Sequence, residues 1–401
     1  MNVCLSRPRF VVCLVMLMLS SSLVFANSAT VDCSGATPGA FTTIQAALNS
    51  FPKAGPNDIS VLPSTCSEHL LIVGFNDLQI FANPGTVTVI GNVPTGRVMN
   101  ITNSVNVFID GVNFNAGHGI LIHNSSDILI GDGSMTTSGG LGMQSLNSVV
   151  DIFNFTIQNS VRSGIAAQGG TFSLDGGVTV SNNNRFGVSM LNGHLVLAGG
   201  DGTAANPDNV ISNNGFFGVS AANSSELDAF GGNDITNNGY MGVRVANTST
   251  LEWSSGGTIT GNQGVGISVA GTSHADIDTV TISGNGASVA ASGGLQTVFG
   301  AAGGIEIVEN SDGVLNGAVV ATNNHSTGIL VSESSLLSSL GGDTVNNNTG
   351  DGFLVQDLAV VHFFGADTAT GNTVAPLDCD TSTVLIGDKA GLGGTRCRLK
   401  P

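Results

Sequence analysis

A chain of 401 residues with 57 glycines, a single tryptophan, a single tyrosine and a formal net charge of −17 is too apolar and too regularly patterned to be disordered. Its acidic surface argues against a nucleic-acid partner and disfavours capture of polyanions unless metal ions intervene. The length would accommodate two or three ordinary domains, yet an array of repeats can run on as one unit.

Residues 1–26 read as a signal peptide. Arg7 and Arg9 precede the apolar run Phe10–Leu19, and Val24-Phe25-Ala26 suits signal-peptidase cleavage. The run is too short for a membrane span, and no later segment is apolar enough to cross a bilayer, so an exported, soluble mature protein is expected. It would carry 9 basic against 28 acidic residues, a net of −19. Its four cysteines fall in two local pairs, Cys33 with Cys66 and Cys379 with Cys397, which in an oxidising compartment implies one disulfide near each end. No CxxC spacing points to zinc.

In FTTIQAALNSF, the residues Ile44, Ala47, Leu48 and Phe51 recur at helical spacing, Thr42 or Thr43 can cap the start, and Pro52 stops it. One amphipathic helix ahead of a strand array suits a cap over the first coil's open edge. Strands are expected at Asp58–Leu62, His69–Val73, Leu78–Phe81 and Thr86–Ile90.

A glycine then recurs at Gly96, Gly119, Gly142, Gly164, Gly187, Gly218, Gly242, Gly266, Gly304, Gly328 and Gly352, mostly at steps of 22 to 24 residues. Such a period marks a solenoid, in which no repeat buries its own apolar face. Two longer steps contain insertions, at Gly199–Asp208 and near Ala287–Gly303. The residue after each glycine is apolar from Ile120 through Val188, Val243 and Ile305 to Phe353, so it points inward. The next slot holds Gln144, Ser189, Ser220, Arg244, Ser268 and Glu306 and points outward. Five residues before the glycine stand Asn159, Asn182, Asn213, Asn237, Asn323 and Asn347, suited to left-handed bends. One residue later come Asn183, Asn214, Asn238, Asn262, Asn324 and Asn348, placed to hydrogen-bond from coil to coil.

Coils of this length with asparagine at the bends resemble the right-handed parallel β-helix of the pectate lyase-like superfamily. The Thr43–Leu48 helix is similar to the N-terminal cap of its pectinesterase-like and polygalacturonase-like members. The resemblance implies an all-β, single-stranded solenoid of about eleven coils, on the order of 50 Å long. The chain divides into signal peptide (1–26), cap helix and first coils (27–95), repeats (96–375) and C-terminal cap (376–401).

Pectate lyases of this fold use calcium on clustered carboxylates and an Arg or Lys base. Here the outward column offers Arg244 as its one cation and Glu306 as its nearest acid, about two coils apart. Gly117-His118-Gly119 matches one element of the polygalacturonase pattern, but the paired aspartates and Arg-Ile-Lys are missing. Asp110 and Asp127 read as turn residues, and hydrolysis needs two facing carboxyls. His274, Asp276 and Asp278 alternate onto one strand face as a weak candidate for Ca²⁺ or a transition ion, and solvated strand polarity is the simpler reading. The loop Asp201–Asp208 is compatible with Ca²⁺ but lacks the ligand density of a dedicated site. Two residues before the marker glycine stand Arg162, Arg185, Phe216 and Tyr240 on successive coils. Because arginine is rarely buried unpaired, this column is expected outside, a platform for a sugar ring or another flat ligand. The slot after it (Ser163, Phe186, Phe217, Met241, Val265) suits the core. These residues point to a secreted protein that binds, and in a catalytic variant of the reading cleaves, a polysaccharide; the other reading is a non-catalytic structural or adhesive module. Association between rods is left open.

Overall fold

The computed structural model describes residues 27–91, 96–115, 117–136, 139–286, 302–393 and 395–398, the side chains of 302, 397 and 398 apart. The expected signal peptide and nearly all of the second insertion lie outside the described residues. Among them, no helix is long and apolar enough to cross a membrane.

The chain winds into a parallel β-solenoid of about 13 turns, somewhat more than the eleven expected, because coils before the first marker and after the last also stack. Among the described residues, the coils contribute short strands to three parallel sheets, the first two joined at their corner into 27 strands and the third made of 11 strands that end at Val319–Thr322. The first contains Val188–Leu191, Val219–Ala222, Val243–Ala246 and Ile267–Ala270. The second contains His194–Ala198, Glu226–Phe230, Thr250–Trp253 and His274–Ile277. The third contains Asn209–Ser212, Asn233–Thr236 and Thr258–Thr260. Met143–Phe153 and Ile165–Asp175 run round the corner between the first two sheets.

Register follows the sequence period. Val188, Val219, Val243, Ile267, Ile305, Ile329 and Phe353 stack one on the next, all fully buried. Burial of such columns is what offsets the entropy of ordering so much backbone. The marker glycines hold this register by close approach: a Cβ on Gly187 would stand 2.6 Å from Gly218 O and 2.7 Å from Asn214 Nδ2. Gly96 is an exception. His118 pairs with Arg97 and Ile120 with Met99, so Val98, not Gly96, holds the rung below Gly119.

Both asparagine columns form. Asn159, Asn182, Asn213, Asn237, Asn323 and Asn347 adopt φ between 55° and 62°, a region asparagine tolerates better than most side chains. The second column is a continuous ladder, Asn183–Asn214–Asn238–Asn262–Asn285–Asn324–Asn348–Asn372, with Nδ2 donating to the next Oδ1 at 2.9–3.2 Å. Asn238 also donates to Ile211 O and accepts from Asn214 N, so this buried amide is fully satisfied. Asn285 carries the ladder past the second insertion, which therefore leaves the stack unbroken. A serine ladder (Ser225, Ser249, Ser273, Ser311, Ser335) lines the bend between the first and second sheets, the hydroxyls from Ser249 onward each accepting the preceding serine's N–H at 3.1–3.2 Å.

The helix spans Ile44–Ser50, with Thr43 as its cap and Ile44, Ala47 and Leu48 buried. Glu68 adds a second anchor, its carboxylate accepting from Ile44 N and Gln45 N at 2.9 and 2.8 Å. Cys33 and Cys66 form a disulfide. Cys379 is disulfide-bonded, and Cys397 is its in-register neighbour on the adjacent strand.

Candidate functional site

The outer face of the first sheet gathers most of the residues marked by the sequence. Arg162, Arg185, Phe216 and Tyr240 do stack: Arg185 N donates to Arg162 O, Phe216 N to Arg185 O and Tyr240 N to Phe216 O, at 3.1, 2.9 and 2.9 Å. The column then splits. Arg162 and Arg185 are exposed, Phe216 is half-buried, and Tyr240 is buried at 6%. The exposed aromatic platform is therefore not formed. Phe216 stacks on Tyr240 at 5.3 Å between centroids and packs on Phe217 at 4.1 Å. Phe217, Met241 and Val265, expected in the main core, instead join Tyr240, Ala270, Val308 and Leu330 in a second apolar cluster separate from it. Their strand alternation stops at the bend before the glycine, so the slot rule does not reach them.

That cluster encloses the next candidates. Arg244, Ser268 and Glu306 lie in register on successive rungs, two steps apart as the sequence implies. Glu306, expected as a solvated surface acid, has no exposed area. Ser268 Oγ donates to its Oε1 at 2.6 Å, while Oε2 has no hydrogen-bond partner. Burial, with Glu309 and Glu333 nearby, pushes the Glu306 pKa up to about 7. Arg244 is half-buried, its guanidinium 5.7 Å from the Phe217 ring centroid, and burial lowers its pKa. Burial and then Glu306 raise the pKa of Tyr240. One acid, one cation and one phenol thus share a closed environment.

Lower on the same sheet the face is open. Arg97, His118, Gly139, Gly140, Leu141, Gln144 and Arg162 line a cavity of about 480 Å³. Arg97 Nη2 donates to Gln144 Oε1 at 2.6 Å, which fixes the guanidinium across two rungs. Burial lowers the Arg97 pKa. Gly140 makes room for the His118 imidazole, with which a Cβ there would collide. His118 starts the strand His118–His123. Asp127 has a φ of 54° but lies within the strand Ser126–Gly131, and Asp110 ends a strand beside Asp132, where burial raises its pKa. Arg97 was missed because the glycine before it suggested the wrong rung; its actual signal is the pairing with His118.

His274 and Asp276 share the second sheet's outer face, with Asp278 beyond the strand. They engage separate partners: His274 Nδ1 lies 2.5 Å from Asp312 Oδ2, and Asn316 Nδ2 donates to Asp276 Oδ1. Ligand atoms converge instead at His194, Glu226 and Asp228, where His194 Nε2 lies 2.9 Å from Asp228 Oδ2. Asp201 Oδ1 accepts from Thr203 N and Oγ1, the bonding of a tight turn. The calcium implied by the resemblance needs ionised carboxylates open to a metal beside the Arg244 row, whereas the acid in register there, Glu306, is enclosed, bonded to Ser268 and raised in pKa, with Glu309 and Glu333 as its acidic neighbours. These residues do not fit it.

Stacked coils that carry side-chain rows on their outer faces define a class, the parallel β-helix. Residues 200–373 match the family model described as right handed beta helix region. No curated protein sequence matches it. Among solved structures, it is similar to the A-module of a mannuronan C-5 epimerase from Azotobacter vinelandii, at 14% identity over 89% of this chain and 95% of that one, TM-score 0.40. It is also similar to the catalytic domain of a GH87 α-1,3-glucanase, at 13% identity over 94% and 69%, TM-score 0.48. The pectate lyase Pel9A follows at 12% identity over 94% and 80%, TM-score 0.36. Such likenesses concern the fold and assign no residue.

Proposed function

We propose that this protein is exported and binds a polysaccharide on the outer face of its first sheet, with an acidic sugar unit seated in the Arg97–His118–Arg162 cavity. The observation that carries this reading is the gathering of two guanidiniums and an imidazole around one hollow of about 480 Å³, in a chain with only 11 Lys and Arg against 28 Asp and Glu. A net negative surface repels polyanions at long range, but a local pair of arginines outweighs it at contact distance, where guanidinium–carboxylate bonds are short and charge-assisted. Arg97 is held by Gln144 before any ligand arrives, which lowers the ordering cost of binding. Exposed Arg185, one rung above Arg162, extends the face toward a longer glycan.

The reading is one of binding. Among the described residues the cavity lining presents an imidazole and no carboxylate, whereas acid–base glycoside hydrolysis uses two carboxyls. Affinity gel electrophoresis against uronate-containing, sulfated and neutral polysaccharides tests it. Retardation by an acidic glycan that is lost in Arg97→Ala/Arg162→Ala supports the proposal. Equal migration in every gel would return the chain to a structural or adhesive role.

A further inference from the structure

The third turn column carries asparagine early in the solenoid and aspartate late. Asn209 and Asn233 occupy it on adjacent rungs, the first donating Nδ2 to the second's Oδ1 at 3.1 Å. Following the register through Val280 and Val319 brings the column to Asp343 and Asp367. Both aspartates are enclosed, at 0% and 1% exposure. Their Oδ1 atoms keep the ladder's backbone bonds: Val319 N donates to Asp343 and Asp343 N to Asp367, each at 3.1 Å. What a carboxylate lacks is the amide's donor.

The neighbouring strand compensates. Trp253, Ile277, Leu315, Ser339 and Phe363 form one inward core column, in which Ser339 is the polar exception. Its Oγ lies 2.8 Å from Asp343 Oδ2 and 2.6 Å from Asp367 Oδ2. A hydroxyl has one proton to donate, so only one of these contacts can be Ser339 donating. The other requires a carboxylic acid donating to the serine oxygen. Among the described residues, no positively charged group acts on the pair. Leu336–Ser339 presents Ser339, Val319 presents its backbone N–H, and the charged group acting on the pair from the C-terminal side is Asp388, itself an acid.

We propose that Asp343 and Asp367 share a single proton through Ser339, and that this proton locks the last coils of the solenoid, which loosen when it is lost. Burial sets the direction for both groups: Asp343 is pushed up to about 6 and Asp367 is raised. A folded pKa above the unfolded value gives stability that is complete below the unfolded pKa and lost as pH rises through the folded one. The lock is therefore closed in mild acid and weakened above about pH 6.

The test uses the full chain, with hydrogen exchange of peptides from residues 336–392, corrected for intrinsic exchange, and infrared detection of a protonated carboxyl on aspartate labelled with ¹³C at its side-chain carboxyl, which separates its band from that of Glu306. Between about pH 5 and about pH 8 the opening equilibrium of these coils should rise about tenfold, with the carboxylic-acid carbonyl band fading in step. In Asp343→Asn the new amide donates to Ser339 and Ser339 donates to Asp367, so the band disappears and the exchange becomes flat with pH. Asp367→Asn should do the same by the mirror arrangement, and it serves if the first variant does not fold. A wild-type profile matching both variants, or no acid band at about pH 5, overturns the proposal. So does recovery of protection at alkaline pH on adding calcium, which would make the site one for a metal in place of a proton.

Discussion

Two stretches of one sheet, Arg97 to Arg162 and Phe216 to Leu330, share register and alternation yet present opposite surfaces. In the lower stretch Gly139 and Gly140 leave a hollow walled by Arg97, His118, Gln144 and Arg162. In the upper one Phe217, Tyr240, Met241 and Val265 fold over the outward row, and Glu306 loses all contact with solvent. Pointing away from the main core is therefore not the same as being exposed. Alternation sets a direction, and whether a second apolar layer covers that direction depends on the residues at the bend.

The largest expected effect comes from Tyr240→Ala. Removing a buried ring from the outer cluster should cost about 3 kcal/mol in denaturant unfolding while glycan binding by the folded fraction is unchanged. Weakened binding with stability intact would restore the exposed platform and erase the contrast.

Glu306→Gln probes the closed half by charge alone. The Glu306 pKa rises from 4.5 to about 7 on folding, so its stabilising effect is complete below pH 4.5 and lost as pH rises through about 7. By about pH 9 the amide should make the protein more stable than wild type by about 3 kcal/mol, and in acid by almost nothing. Thermal unfolding curves at several pH values read this out. An identical pH profile for the two proteins would mean that the row is wet.

In the open half, Arg97→Ala/Arg162→Ala should weaken acidic-glycan binding about a hundredfold at low salt, with thermal stability retained. Arg244→Ala should leave binding untouched, because Arg244 sits within the closed stretch. A small effect is expected from Arg185→Ala, which is exposed and flanks the cavity without lining it. A loss of less than about threefold in affinity and no measurable change in stability would separate flank from site.

The repeat was legible because it is one-dimensional. The glycines from Gly119 onward, the inward column from Ile120 to Phe353 and the asparagine bends each recur at a fixed step, so backbone sterics alone align them. The serine ladder was equally periodic at Ser225, Ser249 and Ser273 and could have been read the same way. Gly96 misled because it is a glycine off the register, and only strand pairing reveals Arg97 beside His118.

The site was less legible. Residues 47 positions apart, Arg97 and Gln144, meet in one hydrogen bond, and nothing in either local sequence announces the other. By itself the sequence determined the stacking, since a period of 22 to 24 residues with glycine and asparagine at set slots admits one way of closing each coil. Only the tertiary structure decided which outward residues meet water, because exposure depends on side chains packing across rungs, and packing is a property of neighbours in space.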